Sequence, residues 1–349
     1  MVDGPLVDLR SDTVTRPTPG MRDAMLRAQV GDDVLDGDPT TRVLQERVAE
    51  ILGKERALFF PSGIQANQTA LALHGKPGSE VILEAGAHIF NYEEGAGAAL
   101  SGLQLRPVPG EEGLLSPELV REAIRPRSPY VHPTCLVAVE NTHNAAGGRI
   151  LPLETLVEIR EVALAAGLPI HLDGARLWHA CAETGVPPSR YGALADTVMV
   201  CLSKGLGAPV GSLLAGSAEA MEGAWRIRRR LGGGMRQSGI LAAAGLYALD
   251  FHMDRLGEDH GRARDLARGA ASVPGLGVRT PETNIVMVDI LAEGASPGEV
   301  LAHLAREGVL MVQFGPRRLR AVTHLDVDDE GIARATGALA RAMDGLSGS

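Results

Sequence analysis

Residues 195–216 read ADTVMVCLSKGLGAPVGSLLAG, and this stretch is the best guide to the fold. The apolar run 197–202 predicts a buried strand and 212–215 predicts a second strand, with Lys204 in the glycine-rich turn between them. Glycines let other groups approach a turn closely and permit backbone angles that other residues avoid. A lysine held in this way can lose its proton and form a Schiff base with an aldehyde. The alternative is a solvated lysine at a strand end, which an isolated Ser-Lys-Gly motif favours.

The composition argues against several classes of partner. With 349 residues, 45% hydrophobic and 22% charged, the chain has ordinary globular composition and room for one large and one smaller domain. Its net charge of −9 argues against a nucleic-acid or anionic-membrane surface, and the basic run 226–230 is too short to reverse that. We therefore expect no nucleic-acid and no membrane partner.

The cysteines and the apolar segments indicate the compartment. Cys135, Cys181 and Cys201 lie far apart without CxxC spacing, so we expect no disulfide framework and no metal site, which fits a reducing cytoplasm. The apolar segment 240–249 is shorter than the ~20 residues that span a bilayer. The N-terminal region carries charges and no apolar signal core. These features predict a soluble cytoplasmic protein.

Strands and helices alternate from residue 57 to residue 215. This alternation predicts an α/β fold with a mostly parallel sheet and right-handed crossovers. Ligands of such sheets bind beyond the carboxyl ends of the strands. Four polar residues fall at predicted strand ends, and we expect them to converge: His88, Asn141, Asp173 and Lys204.

The pattern changes after about residue 250. Short strands and helices follow without the regular alternation, including a helix opened by the capping box Ser296-x-x-Glu299. We predict a large domain over residues 1–250, including an N-terminal arm, and a small C-terminal α+β domain over residues 251–349.

A strand, the sequence Pro61-Ser62-Gly63 and a helix from about Ile64 form a second feature with chemical content. The first turn of a helix leaves backbone N–H groups unpaired, and its dipole favours an anion. Ser62 adds a hydroxyl and Gly63 removes side-chain bulk, which suits a phosphate. A simple serine N-cap explains the same stretch equally well. Neither a Walker loop nor a GxGxxG motif after a strand is present in the sequence.

One cofactor needs all three features. Pyridoxal phosphate requires an amine for its aldehyde, a carboxylate against its ring nitrogen and donors for its phosphate, which Lys204, Asp173 and Ser62-Gly63 can supply. The carboxylate keeps the ring nitrogen protonated, so that the ring accepts electrons when a bond to the substrate Cα breaks. Taken alone, Asp173 could instead be a helix N-cap.

Motifs along nearly the whole chain strengthen this interpretation. The sequence resembles the low-specificity L-threonine aldolases, pyridoxal-phosphate enzymes of the aspartate-aminotransferase (type I) fold. CLSKGLGAPVGS together with HLDGAR is highly specific, whereas ENTHN alone is weak. The matching segments are DLRSDTVTRP (8–17), GDDV (31–34), DPT (38–40), PSG and QAN (within 61–67), ENTHN (140–144), HLDGAR (171–176), CLSKGLGAPVGSLL (201–214), GGGMRQSGILAAAG (232–245) and RAVTHLDV (320–327).

The resemblance implies a large domain built on a seven-stranded, mostly parallel sheet, and roles for individual residues. Lys204 would form the Schiff base, Asp173 would pair with the pyridine nitrogen and His88 would stack on the ring. The phosphate would bind the amides of Gly63 and Ile64 and the Ser62 hydroxyl, although relatives often have Thr at position 64. The substrate carboxylate would bind Ser11, Arg176 and Arg320, with Arg176 also beside the cofactor, because a guanidinium meets a carboxylate through two parallel hydrogen bonds.

The resemblance also implies a homo-oligomer, a dimer or a dimer of dimers, whose subunits share active sites. Arg229 and Arg236 would reach the phosphate of a neighbouring subunit. His88, His143 or a bound water would take the proton of the substrate β-hydroxyl. Relatives often carry a histidine at the position of Tyr130, whereas the nearest one here is His132, displaced by ~7 Å along an extended chain. Tyr130 and His132 are therefore both candidates for contact with the substrate, and Leu35 stands where relatives have Tyr.

The predicted activity is retro-aldol cleavage of L-threonine, L-allo-threonine and other β-hydroxy-α-amino acids to glycine and an aldehyde. Three related activities stay open on the same fold: a phenylserine aldolase, another lyase that eliminates at Cβ, and an aminotransferase. A non-catalytic relative of the fold is the remaining alternative, and the presence of Lys204, Asp173, Arg176 and Arg320 argues against it.

Overall fold

A computed structural model describes residues 5–126 and 128–347, in which strands and helices alternate through most of the chain. The strands are β1 (Val7–Asp8), β2 (Arg56–Phe60), β3 (Glu80–Glu84), β4 (Gln104–Val108), β5 (Thr134–Glu140), β6 (Ile170–Gly174), β7 (Thr197–Cys201), β8 (Ser212–Gly216), β9 (Leu276–Val278), β10 (Ile285–Ile290), β11 (Val309–Leu310), β12 (Val312–Gly315) and β13 (Arg318–Val322).

The helices frame these strands, and a 3₁₀ turn (Asp12–Val14) precedes the first of them. They are α1 (Pro19–Leu26), α2 (Pro39–Leu52), α3 (Gly63–His74), α4 (His88–Asn91), α5 (Ala96–Ser101), α6 (Pro117–Ala123), α7 (Leu153–Ala166), α8 (Leu177–Thr184), α9 (Pro188–Gly192), α10 (Ala218–Arg230), α11 (Gly239–Phe251), α12 (Leu256–Ala271), α13 (Pro297–Arg306) and α14 (Asp329–Ser347).

The main sheet has seven strands in the order β2-β8-β7-β6-β5-β3-β4. Strands β4, β3, β5, β6 and β7 are parallel, and β8 runs antiparallel to both of its neighbours. Strands β3, β6 and β7 are buried along their whole length, as expected for a sheet covered by helices on both faces. The predicted α/β class with a mostly parallel seven-stranded sheet is confirmed.

A second, smaller sheet lies in the C-terminal part of the chain. Its four strands are antiparallel in the order β12-β13-β10-β9, and α12, α13 and α14 pack around it. The N-terminal strand β1 pairs with β11, and Val7 and Leu9 are buried in the core of this C-terminal part. The arm assigned to the large domain therefore contributes to the small domain's core, and the boundary near residue 250 stays a prediction.

The described helices do not include a membrane-spanning candidate, since none is both long enough and apolar enough. The largest cluster of buried apolar side chains lies around the main sheet, from Met21 to Leu256. This core fixes the strand ends that carry the candidate site.

Candidate active site

Lys204 lies in a tight turn just beyond the carboxyl end of β7. The Gly207 amide donates to the Lys204 carbonyl at 2.8 Å, and Gly207 has a positive φ of 72° that only glycine adopts easily. A Cβ on Gly205 would lie 2.2 Å from His179 Nε2, so that glycine allows close packing beneath the lysine. Within residues 5–126 and 128–347, the Lys204 amine has no hydrogen-bond or ion-pair partner, which leaves it available for chemistry.

Asp173 lies at the end of β6, the strand directly beside β7, and pairs in register with Met199. Its side chain is buried, with the residue 1% exposed. Asn67 Nδ2 donates to Asp173 Oδ2 at 2.8 Å, and the Ala175 amide donates to Oδ1 at 3.1 Å. Both donors are neutral, and no cation of the described chain forms an ion pair with this carboxylate.

His88 begins the short helix α4 after β3. Its backbone amide donates to Glu140 Oε2 at 2.7 Å, and its Nδ1 lies 3.0 Å from Glu93 Oε1. Burial opposes a charge on the ring, but the hydrogen bond to Glu93 and the nearby Asp173 carboxylate outweigh burial and raise the pKa of His88. Because Nδ1 donates to Glu93, the neutral ring keeps its lone pair on Nε2.

One side-chain atom each of His88, Glu93 and Asp173 lies within 4.8 Å of the others, a spacing that could also suit a metal ion. Asn67 Nδ2 donates one hydrogen bond to Glu93 Oε1 at 2.9 Å and one to Asp173 Oδ2 at 2.8 Å. The cluster is therefore already joined by hydrogen bonds.

The start of α3 has the geometry of an anion site. Ser62 is the N-cap, and its Oγ accepts from the Gln65 amide at 3.2 Å. The Gly63 and Ile64 amides belong to the first turn, where intrahelical acceptors are lacking. A Cβ on Gly63 would lie 3.0 Å from Cys201 Sγ, so glycine lets α3 begin directly against β7. Ser62 thus caps the helix while the neighbouring amides stay available for a phosphate.

Two arginines meet on one amide oxygen. Arg176 and Arg320 each donate to Asn144 Oδ1 at 3.1 Å. The buried Arg176 also forms a two-pronged ion pair with Asp12, at 2.8 and 2.7 Å. Burial and the neighbouring Arg176 charge lower the pKa of Arg320, whose Nε is buried without a partner in the described chain. Because Asp12 neutralises only one of the two guanidinium groups, the pair favours an added carboxylate.

Ser11 is held next to this pair. It caps the 3₁₀ turn, with Oγ 3.2 Å from the Thr13 amide, and the next residue is Asp12. The structure therefore brings Ser11, Arg176 and Arg320 together across the two parts of the chain. On the Arg320 side, the guanidinium stacks over the Phe314 ring at 4.7 Å, and Phe314 in turn stacks on Tyr92.

Tyr130 and His132 lie apart from this arrangement in their own chain, and their contact with the substrate stays a prediction. Both precede β5, and the amino ends of parallel strands lie at the opposite edge of the sheet from Asp173 and Lys204. His132 Nε2 lies 3.0 Å from Glu80 at the start of β3, and Tyr130 is 94% exposed.

His143 is buried, and both of its ring nitrogens are engaged. Nε2 lies 2.9 Å from Glu84 Oε2, and Nδ1 accepts from the Ala146 amide at 3.2 Å. A nitrogen that already accepts a hydrogen bond is poorly placed to take a proton from a substrate, so this geometry argues against His143 as the base. The contacts of His143 instead support the loop after β3, and its base role stays a prediction.

Arg229 and Arg236 lie at the surface, beyond the helix that begins at Gly63. Arg236 pairs with Asp32 at 3.2 Å and is 57% exposed, while Arg229 lies over the Trp225 ring at 5.6 Å. Neither forms a hydrogen bond with the Ser62-Gly63 turn of its own chain. Their predicted contact with a neighbouring subunit's phosphate stays a prediction.

Four residues that sequence reasoning missed complete the site: Asp12, Asn67, Glu93 and Asn144. Asp12, Asn67 and Asn144 lie inside motifs that carried the family resemblance, DLRSDTVTRP, QAN and ENTHN. That placement was the available signal for these three. Glu93 stood in no such motif.

The site fits pyridoxal phosphate. A buried carboxylate is costly unless it is paired, and a protonated pyridine nitrogen would supply the cation that Asp173 lacks. The free amine of Lys204 lies one strand away, and the open first turn of α3 is available for a phosphate. Lys204, Asp173 and the Ser62–Ile64 turn would hold the group, with His88 beside it.

This fold and site define a pyridoxal-phosphate-dependent enzyme, and comparison with known proteins agrees with that class. The family model described as Beta-eliminating lyase matches residues 8–293. The fold also matches the crystal structure of a putative L-allo-threonine aldolase from Listeria monocytogenes EGD-E, with a TM-score of 0.82 at 23% identity, covering 97% of this chain and 96% of the other.

Curated relatives narrow the class further. The chain is 45% identical over 332 residues to the probable low-specificity L-threonine aldolase 2 of Arabidopsis thaliana, covering 93% of each protein. It is 42% identical over 329 residues to the low specificity L-threonine aldolase of Escherichia coli (strain K12), covering 94% of this chain and 96% of the relative. The chain belongs to the low-specificity L-threonine aldolase family.

Proposed function

We propose that this protein cleaves L-threonine, L-allo-threonine and related β-hydroxy-α-amino acids to glycine and an aldehyde. The observation that carries the proposal is the meeting of Arg176 and Arg320 on Asn144, just after the end of β6 that carries Asp173. Two guanidinium groups at one point suit a substrate carboxylate. The curated relatives, with names that state this activity, cover nearly the whole chain.

Each residue of the site has a separate role in the proposed reaction. When bound, pyridoxal phosphate supplies an electron sink for the pair released when a bond at the substrate Cα breaks. Asp173 would hold the proton on the ring nitrogen, and the amine of Lys204 would hold the cofactor through its aldehyde. Arg176 and Arg320 bind the substrate carboxylate, which sets the direction of the Cα–Cβ bond.

We assign the uptake of the β-hydroxyl proton to His88 Nε2, and the contact of Glu93 with the opposite ring nitrogen supports this assignment. Loss of that proton lets the Cα–Cβ bond break, so that Cβ leaves as the aldehyde carbon. A proton then returns to Cα, and glycine is released. Proton transfer by a positioned group contributes about 10²–10⁴ in rate.

Product analysis tests the proposal. Purified protein with added pyridoxal phosphate is incubated with L-threonine, L-allo-threonine, phenylserine and the D-isomers, while glycine and aldehyde are measured together. We expect equal amounts of the two products from the L-isomers. Ammonia with a keto acid would indicate elimination, and transfer of the amino group would indicate an aminotransferase. A colourless, inactive protein would indicate a non-catalytic relative.

Two histidines provide a matched pair for the proton transfer. His88→Phe keeps an aromatic ring but removes Nε2, and we expect kcat to fall about 10²-fold or more. His143→Gln keeps a donor for Glu84, and we expect kcat within about threefold of wild type, because His143 contacts Glu84 and a backbone amide and not His88. Steady-state kinetics with L-threonine checks both. The opposite ranking would restore His143 as the base.

We further propose that the protein acts in the cytoplasm as a homo-oligomer, a dimer or a homotetramer built as a dimer of dimers, with shared active sites. Three cysteines without disulfides fit a reducing compartment. The surface positions of Arg229 and Arg236, near the helix that would hold the phosphate, support contact with a neighbouring subunit.

Mixing two inactive variants tests the shared site. In a dimer of one Lys204→Ala subunit and one Arg229→Ala/Arg236→Ala subunit, one of the two sites would contain both the lysine and the arginines. Random refolding of an equal mixture should therefore recover about a quarter of the wild-type activity, as two-fold symmetry requires. If each site uses arginines of its own chain, the mixture would stay at the level of the two parents.

A further inference from the structure

A buried chain of hydrogen bonds runs behind Asp173 and ends close to the surface. It joins α3, β6 and β7, and we call it the Asp173 relay. Its steps are Asn67 to Asp173 at 2.8 Å, His171 to Asn67 at 3.0 Å, Thr197 to His171 at 3.0 Å and His74 to Thr197 at 3.0 Å. Asn67, His171 and Thr197 are each at most 1% exposed, so water does not compete for these bonds.

The Asn67 amide fixes the direction of every bond in the relay. Its two hydrogens go to Asp173 Oδ2 and to Glu93 Oε1, so Asn67 Oδ1 must accept from His171 Nε2–H. A neutral His171 ring then carries its lone pair on Nδ1, which the Thr197 hydroxyl fills as a donor. Thr197 Oγ1 can in turn accept from His74 Nε2–H.

Every group in the relay therefore donates toward Asp173. Burial lowers the pKa of His171 to about 4, so its ring is neutral and keeps a single tautomer at physiological pH. The charged and titratable groups around it act in opposite directions, since Asp173 raises this pKa and His74 lowers it. Hydrogen bonds aligned in one direction polarise one another in a dry interior, which strengthens the last donor of the series.

Asn67 connects this relay to the Glu93–His88 pair. Asn67 Nδ2 also donates to Glu93 Oε1 at 2.9 Å, and the same oxygen lies 3.0 Å from His88 Nδ1. Gln68 Nε2 holds the other Glu93 oxygen at 2.6 Å. A single amide therefore connects Asp173, which would face the ring nitrogen, with the carboxylate that orients His88.

We propose that Asn67 is a positioning residue that aligns Asp173 and His88 together, and that His171 and Thr197 fix its orientation. The inference rests on the proposed function, because it concerns the two side chains that would contact the cofactor. Without Asn67, Asp173 Oδ2 would lose its donor and the carboxylate could turn about its last torsion. The proton on the pyridine nitrogen would then be held less firmly.

The test observes that proton directly. Wild type and Asn67→Ala are loaded with pyridoxal phosphate labelled with ¹⁵N at the ring nitrogen, and the NMR shift of that nitrogen is recorded. We expect the Asn67→Ala signal to move from the protonated toward the neutral pyridine position. Hydrogen bonds to charged groups are worth a factor of roughly ten to a hundred, so kcat should fall by about that much with little change in KM.

A matched control lies on the same helix. Thr69 is fully buried and its hydroxyl donates to the Gln65 carbonyl, outside the relay, so Thr69→Val should leave the nitrogen shift at the wild-type position. If Asn67→Ala and Thr69→Val both keep the wild-type shift, the proposal is overturned. If wild type itself does not attach the cofactor to Lys204, the proposed function fails instead.

Thr197 provides a second, independent test at the far end of the relay, should Asn67→Ala not fold. Thr197→Val removes the hydroxyl and leaves His171 Nδ1 without a donor, whereas Thr197→Ser restores it. We expect a shift in the Asn67→Ala direction for the valine variant and a wild-type signal for the serine variant. An unchanged signal with valine, or no rescue with serine, contradicts the relay.

Discussion

Replacing Lys204 with alanine is expected to lower kcat/KM for L-threonine by about 10⁴-fold, the upper end of what a positioned acid–base group contributes. The variant should fold normally, because the Lys204 amine has no partner in the described chain to lose. Alanine cannot attach the cofactor covalently, so the variant should bind it weakly and reversibly.

The chemistry of attachment can be localised because the sequence contains only three lysines. Borohydride reduction of the loaded wild type, followed by peptide mass spectrometry, should place the cofactor on Lys204 and not on Lys54 or Lys76. Lys76→Ala is the control, since Lys76 is exposed and follows the C-terminal end of α3, at the opposite end of the helix from Ser62. Full activity of Lys204→Ala, or attachment at another lysine, would overturn the central assignment.

The sequence was a good guide to the strand ends. The strand predicted at 197–202 is β7 (Thr197–Cys201), and Asp173 and Lys204 lie at neighbouring carboxyl ends, as the parallel-sheet rule requires. The glycine- and alanine-rich segment from His88 to Ser101 forms two short helices, α4 and α5. Glu94 and Gly95, both with positive φ, separate the two helices, and the turn allows Glu93 to contact His88 Nδ1.

Contacts between residues far apart in the chain could not be predicted from the sequence pattern. Nothing in the local pattern indicates that Asp12 pairs with Arg176, 164 residues away, or that Asn67 points at Asp173. Such pairings depend on how α3 and the N-terminal arm pack against the sheet. Tyr130 and His132 are a different case, because the rule that located Asp173 places residues preceding β5 at the opposite edge of the same sheet, so a contact with the substrate would need a neighbouring subunit.

The Arg176–Asp12 pair gives the second large prediction, a loss of both stability and substrate binding. Arg176→Met leaves the Asp12 carboxylate buried without its cation, which should cost about 3–5 kcal/mol in the free energy of unfolding. The double variant Arg176→Met/Asp12→Asn removes both charges and should recover much of that loss. KM for L-threonine should rise about tenfold to a hundredfold in both, since a charged donor to the carboxylate is gone.

Arg320→Met is the matched control for stability. Arg320 donates to Asn144 Oδ1 and to a backbone carbonyl and has no ion pair in the described residues, so its loss leaves no buried carboxylate uncompensated. We expect KM to rise as in Arg176→Met, with a much smaller fall in the free energy of unfolding measured by urea titration. Equal destabilisation by the two substitutions would mean that Arg176 does not act through Asp12.

The pH dependence of stability separates the ion pair from packing. Burial alone would raise the pKa of Asp12, but the Arg176 charge and its hydrogen bonds outweigh burial and hold this pKa well below its usual 3.8. The stability from Asp12 is therefore fully present above the unfolded-state pKa and is lost as pH falls from about 4 toward the folded-state value.

Urea titrations of wild type and the double variant Arg176→Met/Asp12→Asn should give free energies of unfolding that differ by a constant amount from pH 7 to 5. Below pH 4 the wild type should lose stability more steeply, because the double variant has no Asp12 carboxylate to protonate. Parallel losses in the two proteins would show that this pair does not govern the acid response.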